Sequence, residues 1–125
     1  MADFENIAKQ FVEFYYKTFD SNRSQLASLY GPDSMLSFEA APSQGVANIV
    51  QKLVELPFTR VEHQVATLDA QPSNSQGGIL VIVSGALLVE EEKRPMSYTQ
   101  TFQLLPKDGS YYVFNDVFRL VYPAA

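Results

Sequence analysis

The 125 residues contain no cysteine, which removes disulfides, thiolate metal sites and a cysteine nucleophile together and leaves the fold to rest on packing. Histidine occurs once, as His63. A zinc or iron centre would have to recruit distant carboxylates that show no ligand spacing, so neither metal nor cofactor is expected. No apolar run approaches the ~20 residues that span a bilayer, and Met1-Ala2-Asp3-Phe4-Glu5-Asn6 lacks the basic then apolar order of a signal peptide. A soluble intracellular chain without membrane insertion is expected. No cluster of Lys or Arg offsets the formal net charge of −5. That charge repels phosphate backbones and anionic lipid, so nucleic acid is not expected as a partner and a basic protein surface is. Gly77-Gly78 lacks the Lys-Ser/Thr and helix that a phosphate loop requires, and no Gly-x-Ser-x-Gly elbow occurs.

The chain holds 46% hydrophobic residues over a length typical of one domain, so residues 1–125 are read as a single unit with a real core. Asp3 is placed to cap a first helix in which Phe4, Ile7, Ala8, Phe11, Val12, Phe14, Tyr15 and Phe19 repeat at helical spacing. Phe11, Phe14 and Tyr15 are expected to face the core, with Phe4 half-covered at the helix end. Asp20-Ser21-Asn22 breaks this helix and caps a short second one carrying Leu26, Leu29 and Tyr30. Gly31-Pro32-Asp33-Ser34 has turn chemistry, 35–39 reads as a short strand and 40–45 as a loop. A third helix follows, with Val46, Ile49, Val50, Leu53 and Val54, stopping before Pro57. From there the apolar period becomes two. Segments 58–68, 79–90, 96–105 and 111–121 read as long strands in an antiparallel meander. Helices first and strands after predict an α+β domain, with three helices from the N-terminal half packed on a curved sheet. Gly85, inside a β-branched strand, is suited to the bend.

The last strand is apolar on both faces. Strict alternation puts Tyr112, Phe114, Asp116, Phe118 and Leu120 on one side and Tyr111, Val113, Asn115, Val117, Arg119 and Val121 on the other. A strand with one wet face would not look like this, so a second subunit is expected to cover the outer face, with Ile82, Thr101, Val113 and Val117 at the contact.

Two further features are unusual. Glu90-Glu91-Glu92 ends the most hydrophobic strand, and nine Phe with seven Tyr are a surplus for this length. Taken singly, the acids read as a solvated loop guarding a sheet edge and the aromatics as core. Taken together, they suit an aromatic cavity with an acidic rim. An enzyme in such a cavity would need a carboxyl or imidazole of shifted pKa, for which Asp116, Asp20 and His63 are the candidates. A hydrogen-bonded sheet histidine is the favoured reading of His63.

In concert, Phe14-Tyr15-Tyr16-Lys17-Thr18-Phe19-Asp20, Arg23-Ser24-Gln25-Leu26, Ile49-Val50-Gln51-Lys52-Leu53 with Leu56-Pro57-Phe58, Thr67-Leu68-Asp69-Ala70-Gln71-Pro72 and Phe114-Asn115-Asp116-Val117-Phe118-Arg119-Leu120 resemble the nuclear transport factor 2 family. The match covers nearly the whole chain in order and spacing. It implies a cone-shaped fold with a hydrophobic cavity and a homodimeric carrier rather than an enzyme. Such a carrier binds Ran in its GDP form and Phe-x-Phe-Gly repeats of nucleoporins, and moves between cytoplasm, nucleus and nuclear pore. Ran contact would fall to the rim acids Glu39, Glu90 and Glu92 and to a mouth lined by Phe38, Leu56, Phe58, Leu87, Val89 and Phe118. Phe4 would help grip the nucleoporin repeats. The wider superfamily also contains isomerases and dehydratases, so a cavity enzyme using Asp116 and His63 is the competing expectation.

Overall fold

The structure, a computed structural model, describes residues 3–57, 60–90 and 94–121. Helix α1 (Phe4–Ser21) buries Ala8, Val12, Tyr15, Tyr16 and Phe19, which recur on one face. Phe14 differs from expectation. It points away from that face and is 54% exposed, because it shares its arc of the helix with the exposed Gln10, Lys17 and Ser21. Asp3 occupies the N-cap position, but its carboxylate accepts from the Asn6 side chain at 2.8 Å rather than from the backbone. At the other end Asn22 turns extended, and its side chain accepts from the Ser24 amide at 3.2 Å, opening a 3₁₀ helix (Arg23–Leu29) that buries Leu26.

Strand β1 (Tyr30–Phe38) is longer than the expected 35–39, because the turn-like 31–34 segment runs within it. Ser34 makes this possible. Fully buried, it donates to the carbonyl of Val113 and accepts from the amide of Gly31 at 2.8 Å, satisfying groups that the local break in pairing leaves over. Strand β2 (Ala41–Gln44) lies where a loop was expected; it is short and carries Pro42, as an edge strand can. Helix α2 (Val46–Val54) buries Ile49 and Leu53. Strands β3 (Val61–Pro72), β4 (Ile79–Val89), β5 (Met96–Lys107) and β6 (Ser110–Leu120) form the meander. The six strands make one sheet in the order β2-β1-β6-β5-β4-β3.

That sheet is mixed rather than wholly antiparallel, since β1 runs parallel to β6. Alternation reports that a strand is half-buried and says nothing about the direction of its neighbour, so this pairing had no signature in the sequence. The β5–β6 connection is the Asp108-Gly109 turn, with φ of 52° and 78°, closing the Lys107–Ser110 pair.

Two irregularities shape the sheet. The β3–β4 register shifts between Val65 and Thr67, directly against Gly85, where a Cβ would stand 2.0 Å from the Gln64 carbonyl oxygen. Only glycine admits the bulge. Gly85→Ala is expected to cost roughly 1 to 3 kcal/mol, read as a lowered midpoint in urea unfolding. The second irregularity lies between β5 and β6, where Leu104 pairs with Val113 but Gln103 with Asn115, so that Phe114 is the extra residue. Strict alternation therefore fails here. Val113 turns inward and is fully buried with Asp116 and Phe118. Its expected place on the outer, subunit-facing side is corrected by this bulge.

Candidate functional site

The sheet topology gathers one end of the domain. The ends of β1, β4 and β6 and the starts of β3 and β5 lie together, because β1 is parallel to β6 while β6, β5, β4 and β3 alternate in direction. Phe38 at the end of β1 stacks on Phe118 of β6 at 4.5 Å between centroids and 5° between planes, and Phe118 stacks in turn on Tyr98 at 5.5 Å. Leu87 and Val89 of β4 are buried with them and Leu56 packs half-covered against the same core, so these residues form an inner wall rather than an exposed patch. Phe58 and Glu92 lie outside the described residues.

The acids sit outside this aromatic wall. Glu90 is exposed just past β4, its amide donating to the carbonyl of Arg60 at 3.0 Å. A groove of about 400 Å³ beside it is lined by Asp20, Arg60, Val61, Glu62, Leu88 and Glu90, so Glu62 adds an acid that the motif reading missed. Its signal was present as a charge alternating with the buried Val61. Glu39 occupies the turn between β1 and β2. The Phe38–Ala41 pair closes around Glu39 and Ala40, with φ of 53° and 71°. Left-handed backbone costs non-glycine residues roughly 1 kcal/mol or more each, so this turn is held by its surroundings. The amide of Glu39 donates to the carbonyl of Phe118 at 3.1 Å, and its carboxylate accepts from the amide of Leu120.

Beneath the aromatic wall lies a buried polar network. Asp116, fully buried, accepts from Gln100 at 2.8 Å on one oxygen and from Tyr30 at 2.7 Å and Tyr15 at 3.1 Å on the other. The Tyr15 and Tyr30 hydroxyls lie 2.6 Å apart, so that either can donate to the other in place of Asp116 and two protons are shared among three contacts, while Tyr16 donates to the Gln100 carbonyl oxygen at 2.9 Å. Burial pushes the Asp116 carboxyl up from 3.8 to about 6 against the opposing pull of these three donors. Burial first, and the Asp116 charge next, hold the Tyr15 and Tyr30 hydroxyls well above their ordinary range. Gln100 was not foreseen, although a polar residue in phase with Tyr98, Phe102 and Leu104 was the available sign of a buried partner.

His63 is a second polar anchor. Asp20, at the end of α1, accepts from the His63 amide at 2.9 Å through one oxygen and meets Nδ1 at 2.7 Å through the other. The ring stacks on Tyr16 at 4.1 Å and its side chain is 2% exposed. It ties the edge strand β3 to the helix that covers it. Among the described residues no three His, Asp or Glu side chains gather as metal ligands, and no described helix is long and apolar enough to cross a membrane.

The outer face of the sheet differs from the inner one. Ile82, Thr101 and Val117 stand directly opposite one another across β4, β5 and β6. Ile82 is 44% and Val117 45% exposed. Beside them a groove of about 600 Å³ opens over the Gly85 bulge, lined by Val65, Ala66, Ala86, Thr99 and Val121 among others. Phe4, at the start of α1, is half-buried against the core.

The family model for the nuclear transport factor 2 (NTF2) domain matches residues 7–120. A "Nuclear transport factor 2" of Davidiella tassiana is 77% identical over 125 residues, covering all of both chains. One from Schizosaccharomyces pombe is 56% identical over 122 residues, covering 98% of this chain and 99% of its own. The solved structure of nuclear transport factor 2 from Cryptosporidium parvum superposes with a TM-score of 0.89 at 43% identity, covering 94% of each chain. A family model over most of the chain, relatives this similar along their whole length and a superposition of this quality show that the chain belongs to the nuclear transport factor 2 family.

Proposed function

We propose that the chain is a nuclear transport carrier that binds Ran-GDP at the acidic end of the cone, binds Phe-x-Phe-Gly nucleoporin repeats through a separate surface at Phe4, and acts as a homodimer. It would cycle between cytoplasm, nucleus and nuclear pore, returning Ran to the nucleus. The observation that carries this reading is the coincidence, in a member of this family, of exposed acids with an aromatic wall at one end of the sheet. A basic partner presenting an aromatic side chain is the complement of such a site. Phe38, Leu56, Phe58, Leu87, Val89 and Phe118 would receive the aromatic group, and Glu39, Glu90 and Glu92 would meet its basic neighbours.

A carrier is favoured over a cavity enzyme by what the candidate acid and base already do. Both oxygens of Asp116 are committed to Tyr15, Tyr30 and Gln100. Nδ1 of His63 is committed to Asp20, and its side chain is sealed from solvent. Groups so occupied serve packing and leave no proton-transfer partner facing a substrate.

The test is Glu39→Lys. This variant is expected to fold, dimerise and bind nucleoporin repeats, while calorimetry with Ran-GDP shows affinity lowered by roughly 2 kcal/mol or more, because attraction at a partly desolvated contact becomes repulsion. A charge that makes no contact with Ran-GDP contributes about 0 to 1 kcal/mol to its binding, so affinity within a few-fold of the parent's rejects the contact. Phe4→Ala separates the second partner. Aromatic anchors dominate small interfaces, and the truncation should weaken repeat binding by roughly 1 to 2 kcal/mol while Ran-GDP binding survives. Equal loss of both in parallel titrations would reassign Phe4 to the core alone.

A further inference from the structure

Glu39 is held at both ends by the last residues of β6. β1 runs parallel to β6 with Ser37 opposite Val117 and Phe38 opposite Phe118, and the Glu39 amide continues that pairing to the Phe118 carbonyl. The chain then turns away, through Glu39 and Ala40 in the left-handed region, into β2. A straight β1 would have offered β6 a further backbone acceptor. The turn withdraws it, and the half-buried Leu120 amide receives the Glu39 carboxylate instead. The first of the two bonds ends on Phe118 itself, whose ring carries the stack with Phe38 and Tyr98.

We propose that Glu39 is a positioning residue of the rim: its carboxylate replaces the backbone acceptor that β1 ceases to supply, and thereby fixes the end of β6 on which Phe118 is presented. The side-chain length matters as much as the charge. Aspartate carries the same charge and tolerates left-handed backbone better than glutamate, but is one methylene shorter and falls short of the Leu120 amide. Glutamine keeps the length and a carbonyl acceptor while losing the charge.

These two substitutions separate the roles, and the first readout does not involve Ran. Amide hydrogen exchange in the otherwise intact protein should show Leu120 protected in the parent and in Glu39→Gln, and exchanging at least tenfold faster in Glu39→Asp and Glu39→Ala. Unchanged Leu120 exchange in Glu39→Asp and Glu39→Ala overturns the proposal, as does loss of protection in a folded Glu39→Gln. The second readout rests on the carrier reading above. Titration with Ran-GDP should show Glu39→Asp weakened severalfold or more despite its retained charge, and parent-like affinity in Glu39→Asp with its Leu120 amide released overturns the positioning role. If Leu120 responds as expected but neither Glu39→Ala nor Glu39→Lys alters Ran-GDP binding, only the Leu120 bond stands, and the positioning role and the Ran contact both fall.

Discussion

Asp116→Leu is expected to lose about 3 to 5 kcal/mol of stability at pH 7, the summed consequence of stranding buried donors. Gln100 Nε2 loses its only acceptor in the network, while Tyr15 and Tyr30 retain each other and lose the carboxylate they share. A buried donor left unsatisfied costs roughly 1 to 3 kcal/mol, and more where its lost partner was charged. Replacing one member of a network is worse than replacing all of it, because the remainder is left in low dielectric without water. Asp116→Asn is the informative companion. The folded state holds the Asp116 proton to about pH 6, where the ordinary value is 3.8. Its folded-state pKa is raised, so the native state binds the proton more tightly than the unfolded chain does. That contribution is complete below the unfolded value and is lost as pH rises through about 6; the interval corresponds to about 3 kcal/mol. Other carboxylates also titrate there, so the quantity to read is the parent minus the Asp116→Asn variant. Urea unfolding at fixed protein concentration should show this difference falling between about pH 4 and pH 6 and level above pH 7. A difference independent of pH would mean that Asp116 is ionised throughout.

Val117→Glu is expected to turn the proposed homodimer into a monomer of 14.0 kDa without unfolding it. Val117 lies on the outer face in line with Thr101 and Ile82, and its side chain meets no core. A charge introduced there is comfortable in the single chain and unfavourable by several kcal/mol once a second sheet covers it without a counter-ion. Light scattering of the purified variant measures the outcome; an unchanged dimer mass removes Val117 from the interface. Val113→Glu makes the opposite case. Val113 was grouped with Val117 by alternation, yet it is fully buried, so its charge should abolish folding rather than association. Circular dichroism distinguishes the two variants before any mass is measured.

The residue pattern alone was sufficient for the α+β class, for all four meander strands and for the place of α1 and α2, because apolar period is a local property that survives without knowledge of neighbours. It was also sufficient for Gly85, since glycine within a β-branched run has few other uses. Glu90 was legible in the same way, as charge adjoining the end of an apolar strand, whereas Glu39 was singled out only by the resemblance to the family. Tertiary structure decided what alternation cannot carry. The parallel partner of β1 depends on which strand lies beside it, and the outward turn of Phe14 depends on which arc of α1 the sheet covers. Val113 and Val117 differ because one extra residue at Phe114 reverses the faces, and a bulge is a relation between two strands. The same holds for Asp116 and Glu39. Each is an acid in the sequence, and only its surroundings distinguish them: Asp116 is enclosed in the core, where burial raises its pKa against the pull of Gln100, Tyr30 and Tyr15, which arrive from β5, β1 and α1, whereas Glu39 stands at a turn, bound to the strand end that its own chain has just left.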